Sequence, residues 1–419
     1  MRQCMQYAVA HNHEVKQAEL ELDNYHASKT GAIGRFLPSV DASIGANYNF
    51  GRAIDPETNG YTNVSTFYNG YSLSASLPVF DGFSRLHALK AAKASELMGQ
   101  SSLRQRQDRT ALDILQAYTN VAWYDGLVKM TAEKVEETEL LLKQTRLLEE
   151  VGRKSIADVA QVESQKAEAD YELTRQQNLY ASALLELKKA MAYPMQDTLE
   201  LSVDQRDKSQ DGGLRPHQEP VLLINASEQH PELLTARYQM QASKHEWRQA
   251  RASLLPALSL SAGLSTTYYQ TLHAERTTSF GEQFKNNMGE YIGATLSIPL
   301  FNRLQTITNI RRAKNNYRKA CEAYEQTHLE LEKLSREAWQ DWQGYLKQTD
   351  QMEKKVEADS LAYQLTRRQF EEGLSTAIDV HTTSTQLLQS KATLLQCQLM
   401  AMVKEQLVRY YKGETIWTE

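Results

Sequence analysis

The chain has 419 residues, of which 41% are hydrophobic, and a formal net charge of −5. Its mean hydropathy is −0.57, and it contains no apolar run of about 18 residues, which excludes a transmembrane helix. Acidic and basic residues are mixed along the chain without a basic stripe, so we expect no nucleic-acid partner. If this protein crosses a membrane, it must do so with strands.

The residues that usually mark an enzyme or a metal site are missing from the sequence. The three cysteines, Cys4, Cys321 and Cys397, lie far apart, and there is no CxxC pair, phosphate loop or nucleophile elbow. We therefore expect no catalytic residues, no cofactor and no metal. The opening residues, MRQCMQYAVAHN, do not form a signal peptide, so the protein is either cytosolic or has lost its signal before this sequence begins.

The order of short motifs predicts that the chain is two tandem copies of one unit. Leu37-Pro38 matches Leu255-Pro256 at an offset of 218 (256 − 38), and Asp158-Val159 matches Asp379-Val380 at an offset of 221 (379 − 158). One short insertion in a strand-connecting loop accounts for the change in offset. We assign residues 1–193 to the first repeat, 194–220 to a linker rich in proline, glycine and charge, and 221–419 to the second repeat.

Each repeat carries a predicted β-hairpin, at 38–80 and at 256–301, in which apolar and small polar side chains alternate. The apolar positions are Val40, Ala42, Ile44, Ala46, Tyr48, Phe50, Tyr71, Leu73, Ala75, Leu77 and Val79 in the first hairpin, and Leu258, Leu260, Ala262, Leu264, Ile292, Ala294, Leu296, Ile298 and Leu300 in the second. The strands have the length of about ten residues that a tilted strand needs to cross a bilayer. The connecting loops, 51–70 and 270–289, are long and polar.

Long helices are predicted around each hairpin. A moderate helix precedes the strands (14–35 and 231–253), a very long one follows them (84–150 and 304–371), and a third returns (157–192 and 377–412). Each very long helix would extend roughly 100 Å. Apolar residues recur at heptad spacing, for example at Ile114 and Val121, which is typical of coiled-coil packing.

Four strands cannot close a barrel alone, because about eight are needed. An open sheet edge in lipid would leave backbone groups unpaired, so several copies of the chain must associate. Two copies would give eight strands and an interior filled by side chains, and three would give twelve strands and an open bore. Because the polar face carries mainly small residues that do not fill space, we expect a homotrimer.

In its motifs the chain resembles the TolC-type outer-membrane efflux family, and in the NFGRAIDPETN loop its Bacteroidetes members. The resemblance rests on the RQCMQYAVAHN opening, the PVFDG and PLFNR ends of the two hairpins, and the VGRKSIADV and EGLSTAIDV turns. It covers nearly the whole chain. The resemblance implies a mainly α-helical fold with a β-barrel portion, in which a trimeric twelve-stranded transmembrane barrel continues into an α-helical tunnel.

The resemblance also implies a function, a location and partners. We expect the outer-membrane exit channel of a tripartite efflux or type I secretion system, which passively conducts small toxic molecules or secreted proteins. Its helices would lie in the periplasm, its strands would contact outer-membrane lipid, and its partners would be a periplasmic adaptor and an inner-membrane pump. The alternative is a cytosolic coiled-coil scaffold, which the heptads and the missing signal peptide favour. Exposed strands of membrane-spanning length argue against it.

In the resembled family the tunnel closes near the second glycine turn, at an acidic ring. Asp379 matches the first acidic position of that ring, whereas Thr382 stands where many members have a second aspartate. Ser375 replaces an arginine that helps to lock the closed state, and Phe370 replaces a tyrosine. These four residues are the candidates for the gate. Asp379 and its counterpart Asp158 could instead only stabilise the first turn of a helix through its dipole.

The resemblance places adaptor docking at the two glycine turns. The candidate docking residues are Val151, Gly152 and Arg153 in the first turn, and Glu372, Gly373 and Leu374 in the second. Independently of docking, a glycine just after a helix supplies the left-handed conformation that ends it.

Overall fold

The computed structural model describes residues 1–54, 59–63, 65–199, 201, 229–272 and 278–417. Its helices are α1 (Arg2–His11), α2 (His13–Gly34), α3 (Ser84–Glu150), α4 (Ile156–Ala190), α5 (Pro231–Ala252), α6 (Phe280–Asn286), α7 (Gln305–Glu371) and α8 (Ala377–Tyr411). Its strands are β1 (Ser39–Asn49), β2 (Arg52–Ile54), β3 (Tyr61–Asn63), β4 (Thr66–Phe80), β5 (Ala257–Thr271) and β6 (Gly289–Ser297). The predicted combination of long helices with two β-hairpins is confirmed.

Helices at corresponding positions of the two predicted repeats have equal lengths. Helices α2 and α5 each have 22 residues, α3 and α7 each have 67, and α4 and α8 each have 35. Of the predicted linker, residues 200 and 202–220 lie outside the described residues. Within the part of the chain that is described, no helix is long and apolar enough to cross a bilayer.

The four long strands form one antiparallel sheet in the order β1-β4-β5-β6. Residues directly opposite each other project from the same face of a sheet. Val40 pairs with Ala75, and the same face continues through Ala262 to Ile292. The apolar positions of all four strands therefore form one surface, as the alternation predicts. That surface is exposed in the single chain, and Ile292 reaches 90% exposure.

The opposite face of the sheet carries mainly small polar residues, with three tyrosines, Tyr68, Tyr269 and Tyr291, among them. Ser43 pairs with Ser72, Ser72 with Ser265, and Ser261 with Gly293. The hydroxyl groups of Ser43 and Ser72 lie 2.8 Å apart and share a hydrogen bond across the strands. The serine and glycine residues at these positions leave space in front of the sheet.

The strand connections are more ordered than the sequence indicates. In the first loop, β2 and β3 form a separate two-stranded sheet, and in the second, α6 precedes β6. Residues 55–58, 64 and 273–277 of these loops lie outside the described residues. Strand β6 ends at Ser297 rather than continuing to Leu300, because its partner β5 begins at Ala257, directly opposite Ser297. Pro299 follows and has no backbone N–H to donate to a ladder.

Helix α6 supplies hydrogen-bond partners to the part of β5 that extends beyond β6. The ladder between β5 and β6 stops at Ser265. Beyond it, the Gln283 side-chain oxygen accepts from the Tyr269 N–H at 2.9 Å, and its amide nitrogen donates to the Tyr269 carbonyl at 2.8 Å. One side-chain amide therefore replaces the two backbone bonds that a neighbouring strand would supply.

The chain divides into two compact units. One comprises Met1–Leu22, Gly99–Ala236 and Tyr324–Glu419, and the other comprises Asp23–Met98 and Arg237–Ala323. The first unit contains helix-packing cores, and the second contains the sheet with its adjoining helix ends. In the first unit, Ile114 and Val121 of the predicted heptad stripe are fully buried, and Trp339 packs on Trp342 at a ring distance of 5.3 Å.

Candidate functional site at the two glycine turns

The first glycine turn joins α3 to α4. Gly152 has a φ of +74°, which glycine adopts without strain. Its N–H donates to the Glu149 carbonyl at 2.8 Å, and the Arg153 N–H donates to the Leu148 carbonyl at 2.8 Å. These bonds satisfy carbonyl groups that the end of α3 would leave unpaired.

The second glycine turn joins α7 to α8 and repeats this arrangement. Gly373 has a φ of +82°. Its N–H donates to the Phe370 carbonyl at 3.0 Å, and the Leu374 N–H donates to the Gln369 carbonyl at 2.7 Å. The two predicted glycine turns thus have the same backbone hydrogen bonds.

Asp379 lies in the first turn of α8 as part of a capping box. The Thr376 N–H and hydroxyl donate to its Oδ2 at 2.9 and 2.6 Å, and the Ser375 hydroxyl donates to the same oxygen at 3.1 Å. The Asp379 N–H in turn donates to the Thr376 hydroxyl at 3.2 Å. Among the described residues, none donates to Oδ1, which leaves that oxygen available to a cation.

Asp158 has the equivalent position in α4. The Ser155 N–H and hydroxyl donate to its Oδ2 at 2.9 and 2.8 Å. Hydrogen bonds from the hydroxyl and the N–H of Thr376 hold the pKa of Asp379 below its usual value. Those from the N–H and the hydroxyl of Ser155 do the same for the pKa of Asp158. Both carboxylates are therefore charged at neutral pH.

The other gate candidates occupy different environments. Thr382 is exposed one turn after Asp379, and its hydroxyl donates to the Ile378 carbonyl at 2.8 Å. Ser375 is close to Asp379 through its hydroxyl. Phe370 is only 1% exposed and belongs to the core that contains Leu141. A side chain so deeply buried cannot line a pore, so Phe370 can influence a gate only through packing.

The adaptor-docking candidates lie on the surface of the chain. Val151 is 69% exposed and Leu374 is 76% exposed. The remaining candidates, Gly152, Arg153, Glu372 and Gly373, are also exposed. Two large apolar side chains on otherwise polar turns are available to a partner protein.

Lys154 connects the two turns, which the sequence did not indicate. Its ammonium group lies 4.4 Å from the centre of the Phe370 ring and 3.5 Å from the Ser375 carbonyl oxygen. A cation over an aromatic face is attracted by the ring quadrupole. No local pattern marks such a contact, because the two residues are far apart in the chain.

A small cavity of about 20 Å³ lies between α3, α4, α7 and α8, with Gln165 in its lining. Gln165 is 4% exposed, and neither its side-chain oxygen nor its nitrogen has a partner among the described residues. Beside it, the Tyr363 hydroxyl donates to Glu137 at 3.1 Å. A space of this size fits one ordered water molecule. No group of three metal-binding side chains occurs in the described part of the chain.

Comparison with known proteins identifies relatives of the chain. The model of the family described as "Outer membrane efflux protein" matches residues 4–192 and 222–409. Outer membrane protein TolC of Escherichia coli (strain K12) is 24% identical over 421 residues, which cover 97% of this chain and 80% of TolC. Alkaline protease secretion protein AprF of Pseudomonas aeruginosa is 23% identical and covers 73% of this chain and 61% of AprF.

Solved structures have the same fold. The channel protein CusC superimposes with a TM-score of 0.85 at 16% identity, covering 98% of this chain and 91% of CusC. The outer membrane protein VceC of Vibrio cholerae gives a TM-score of 0.82 at 15% identity, covering 99% of this chain and 96% of VceC. The family model covers most of the chain in two tandem matches, and the chain belongs to the outer membrane efflux protein family.

Proposed function

We propose that three copies of this chain assemble into the exit duct of a tripartite efflux or type I secretion system. The observation that carries the proposal is the four-stranded antiparallel sheet, which has an exposed apolar face and outer strands, β1 and β6, that within the described residues pair on one side only. In a bilayer, each unpaired backbone group would cost several kcal/mol. The edges therefore require neighbours.

The direction of the strands fits a closed ring of copies. Successive strands of the sheet are antiparallel, so β1 and β6 run in opposite directions. β6 of one copy can then continue the antiparallel order with β1 of the next. The small residues on the polar face support three copies over two, because twelve strands enclose a bore whereas eight enclose a space that side chains must fill.

The chain is an outer-membrane channel protein with its helices in the periplasm. Its relatives are channel proteins, and we propose that the chain itself catalyses no reaction. The cytosolic coiled-coil scaffold is not supported, because the family match includes both hairpins as well as the helices. Outer-membrane lipid would cover the apolar face of the sheet.

The proposed partners are a periplasmic adaptor at the two glycine turns and an inner-membrane pump behind it. Exposed Val151 and Leu374 support docking at the turns. AprF is a protein-secretion component, whereas "Toluene efflux pump outer membrane protein TtgC" of Pseudomonas putida is named for a small molecule. The proposal therefore includes both kinds of cargo.

The proposed gate is a ring of three Asp379 carboxylates, one from each copy. Its support is the exposed position of Asp379 and the hydrogen bonds that keep it charged. Thr382 and Ser375 would contribute hydroxyl groups on the same side of the turn. A ring of negative charges in a narrow pore favours cations.

The test of the proposed function is export of the full chain behind a signal peptide, followed by membrane fractionation and planar-bilayer recording. We expect heat-modifiable trimers in the outer membrane and discrete conductance steps from the purified protein. A soluble dimeric rod without conductance would reject the duct and favour the scaffold. Chemical cross-linking of the purified species counts the subunits independently.

A further inference from the structure

Each of the four junctions between a long strand of the sheet and its neighbouring helix has one arginine. Arg35 and Arg303 lie in the connecting residues, whereas Arg85 lies in the first turn of α3 and Arg251 in the last turn of α5. Arg35 precedes β1, Arg85 follows β4, Arg251 precedes β5 and Arg303 follows β6. We propose that these four residues, the arginine rim, bind the phosphate groups of anionic phospholipids in the periplasmic leaflet of the outer membrane. The inference rests on the proposed function, since it needs the sheet to lie in that membrane.

The arginine rim has almost no acidic residue to neutralise it. In residues 35–38, 81–85, 251–256 and 298–304, Asp81 is the only carboxylate. Four arginines and one aspartate (4 − 1) give each chain a net charge of +3 there, although the whole chain has a net charge of −5. Anionic headgroups attract basic residues located at the membrane surface.

Exposed apolar side chains lie beside the arginines and extend the apolar face of the sheet. Ile298 and Leu300 continue the alternation of β6 beyond its last residue, and Leu300 is 92% exposed. Phe36, Phe83 and Phe301 are exposed next to Arg35, Arg85 and Arg303. Aromatic residues flank the lipid-facing band of outer-membrane strands at the interface. Arginine side chains there bury their stems and keep their charged ends at the headgroups.

This combination favours lipid over a water-filled bore as the environment of the arginine rim. A surface that faced an aqueous bore would not need to combine several exposed phenylalanines and leucines with the cations. At the edge of a bilayer both features are used at once, because the apolar side chains contact the acyl region while the guanidinium groups reach the phosphates.

The four arginines differ in how freely they can bind. Arg85 donates to Asp81 at 3.1 Å and to the Arg35 carbonyl at 3.2 Å, and it lies over the Phe36 ring at 5.2 Å. Arg251 lies over the Trp247 ring at 5.7 Å. The guanidinium groups of Arg35 and Arg303 are exposed and make no hydrogen bond or ion pair with the described residues. These two can offer paired N–H groups to one phosphate.

The experiment is native mass spectrometry of the full-length protein in detergent, with phosphatidylglycerol and phosphatidylethanolamine of identical acyl chains as probes. The unchanged protein is expected to retain phosphatidylglycerol preferentially. Arg35→Gln combined with Arg303→Gln should reduce that preference by roughly fivefold for each arginine removed. The matched control is Arg318→Gln with Lys319→Gln, two exposed cations of α7 more than twelve residues beyond its start at Gln305.

The proposal is supported if the rim variant loses the preference and the control variant keeps it. It is overturned if the unchanged protein binds both lipids equally, or if the two variants behave alike. Conductance is recorded from the same preparations. Normal conductance without lipid preference rejects the arginine rim alone, whereas absence of both trimers and conductance rejects the proposed function.

Discussion

The ammonium group of Lys154, at the turn after α3, lies 4.4 Å from the centre of the Phe370 ring in the last turn of α7. The same ammonium group reaches the Ser375 carbonyl, so one side chain holds both glycine turns of a chain together. Its Phe370 partner is buried and therefore fixed in place. The contact joins the helix pair α3–α4 to the helix pair α7–α8, next to Ser375, which replaces the arginine of the resembled family.

Lys154→Met should weaken this connection while keeping most of the apolar stem. We expect a loss of about 0.5–1 kcal/mol in local stability, the size of an exposed cation–π interaction. Hydrogen exchange of the Gly373 and Leu374 amides, which are both hydrogen-bonded in the turn, measures it. Lys143→Met is the control, since it removes an exposed charge of α3 whose ion-pair partner, Glu139, lies in the same helix. Equal exchange rates in the two variants would show that Lys154 does not stabilise the second turn.

Asp379→Asn should weaken the block of single-channel current by multivalent cations. The amide keeps an oxygen for the capping box but removes the charge from the proposed ring. Asp158→Asn is a matched control, because Asp158 has the same capping geometry in the first repeat. We expect block to become several-fold weaker only in the Asp379 variant. If both variants, or neither, change the block, Asp379 is only a helix cap.

His230 should make the stability of the first compact unit, which contains the helix-packing cores, depend on pH. Burial, with a smaller contribution from the charge of Arg104, lowers the pKa of His230 to about 4. The unfolded chain has a histidine pKa near 6.5, so it binds the proton more readily than the folded chain. Stability is therefore complete above about pH 6.5 and is lost as the pH falls towards about 4, by about 3 kcal/mol for this group.

Apparent melting temperatures in detergent at several pH values test this dependence. His230→Phe keeps an aromatic side chain between Tyr410 and Tyr411 and should flatten the fall in melting temperature between pH 6.5 and pH 4. His13→Gln changes an exposed histidine and should leave the slope unchanged. The slope is compared rather than the absolute stability, because the variant also loses the bond from the Glu232 N–H. An unchanged slope in His230→Phe contradicts the assignment.

Val151→Asp combined with Leu374→Asp should abolish transport without affecting assembly. Both side chains are exposed on the turns, and a buried charge without a partner would oppose docking of an adaptor. Cross-linking to the adaptor and a drug-resistance or secretion assay measure the effect, and trimer formation is checked in parallel. Tyr171→Asp changes an equally exposed apolar residue in the middle of α4 and serves as the control. Normal cross-linking in the double variant would place docking elsewhere.

The strands and the two faces of the sheet could be predicted closely, because both follow from the alternation of neighbouring residues along the chain. Alternation with a period of two assigns each side chain to a face, and the pairing of Val40 with Ala75 and of Ala262 with Ile292 keeps those faces aligned. The limit is visible at β6, where alternation continues to Leu300 but the ladder stops before Pro299. The ladder ends where the partner strand β5 begins at Ala257, and alternation within β6 does not locate that point.

The candidate site could be predicted only in part, because some of its contacts join residues that are far apart in the chain. Glycine turns and capping residues have short sequence signatures, so Gly152, Gly373 and Asp379 were found. The contact of Lys154 with Phe370 depends on how the helix pair α3–α4 packs against the helix pair α7–α8. No residue spacing within either pair encodes that contact. For the same reason the sequence suggested a gate role for Phe370, whereas the structure shows a core residue.

The capping of Tyr269 by Gln283 restricts the ways in which separately synthesised chains can meet. A foreign strand cannot add to that stretch of β5, since the amide already occupies both backbone groups. The two outermost strands of the sheet, β1 and β6, are then the edges at which an incoming subunit can pair. The short helix would in this way protect newly exported chains from disordered aggregation before the ring is complete.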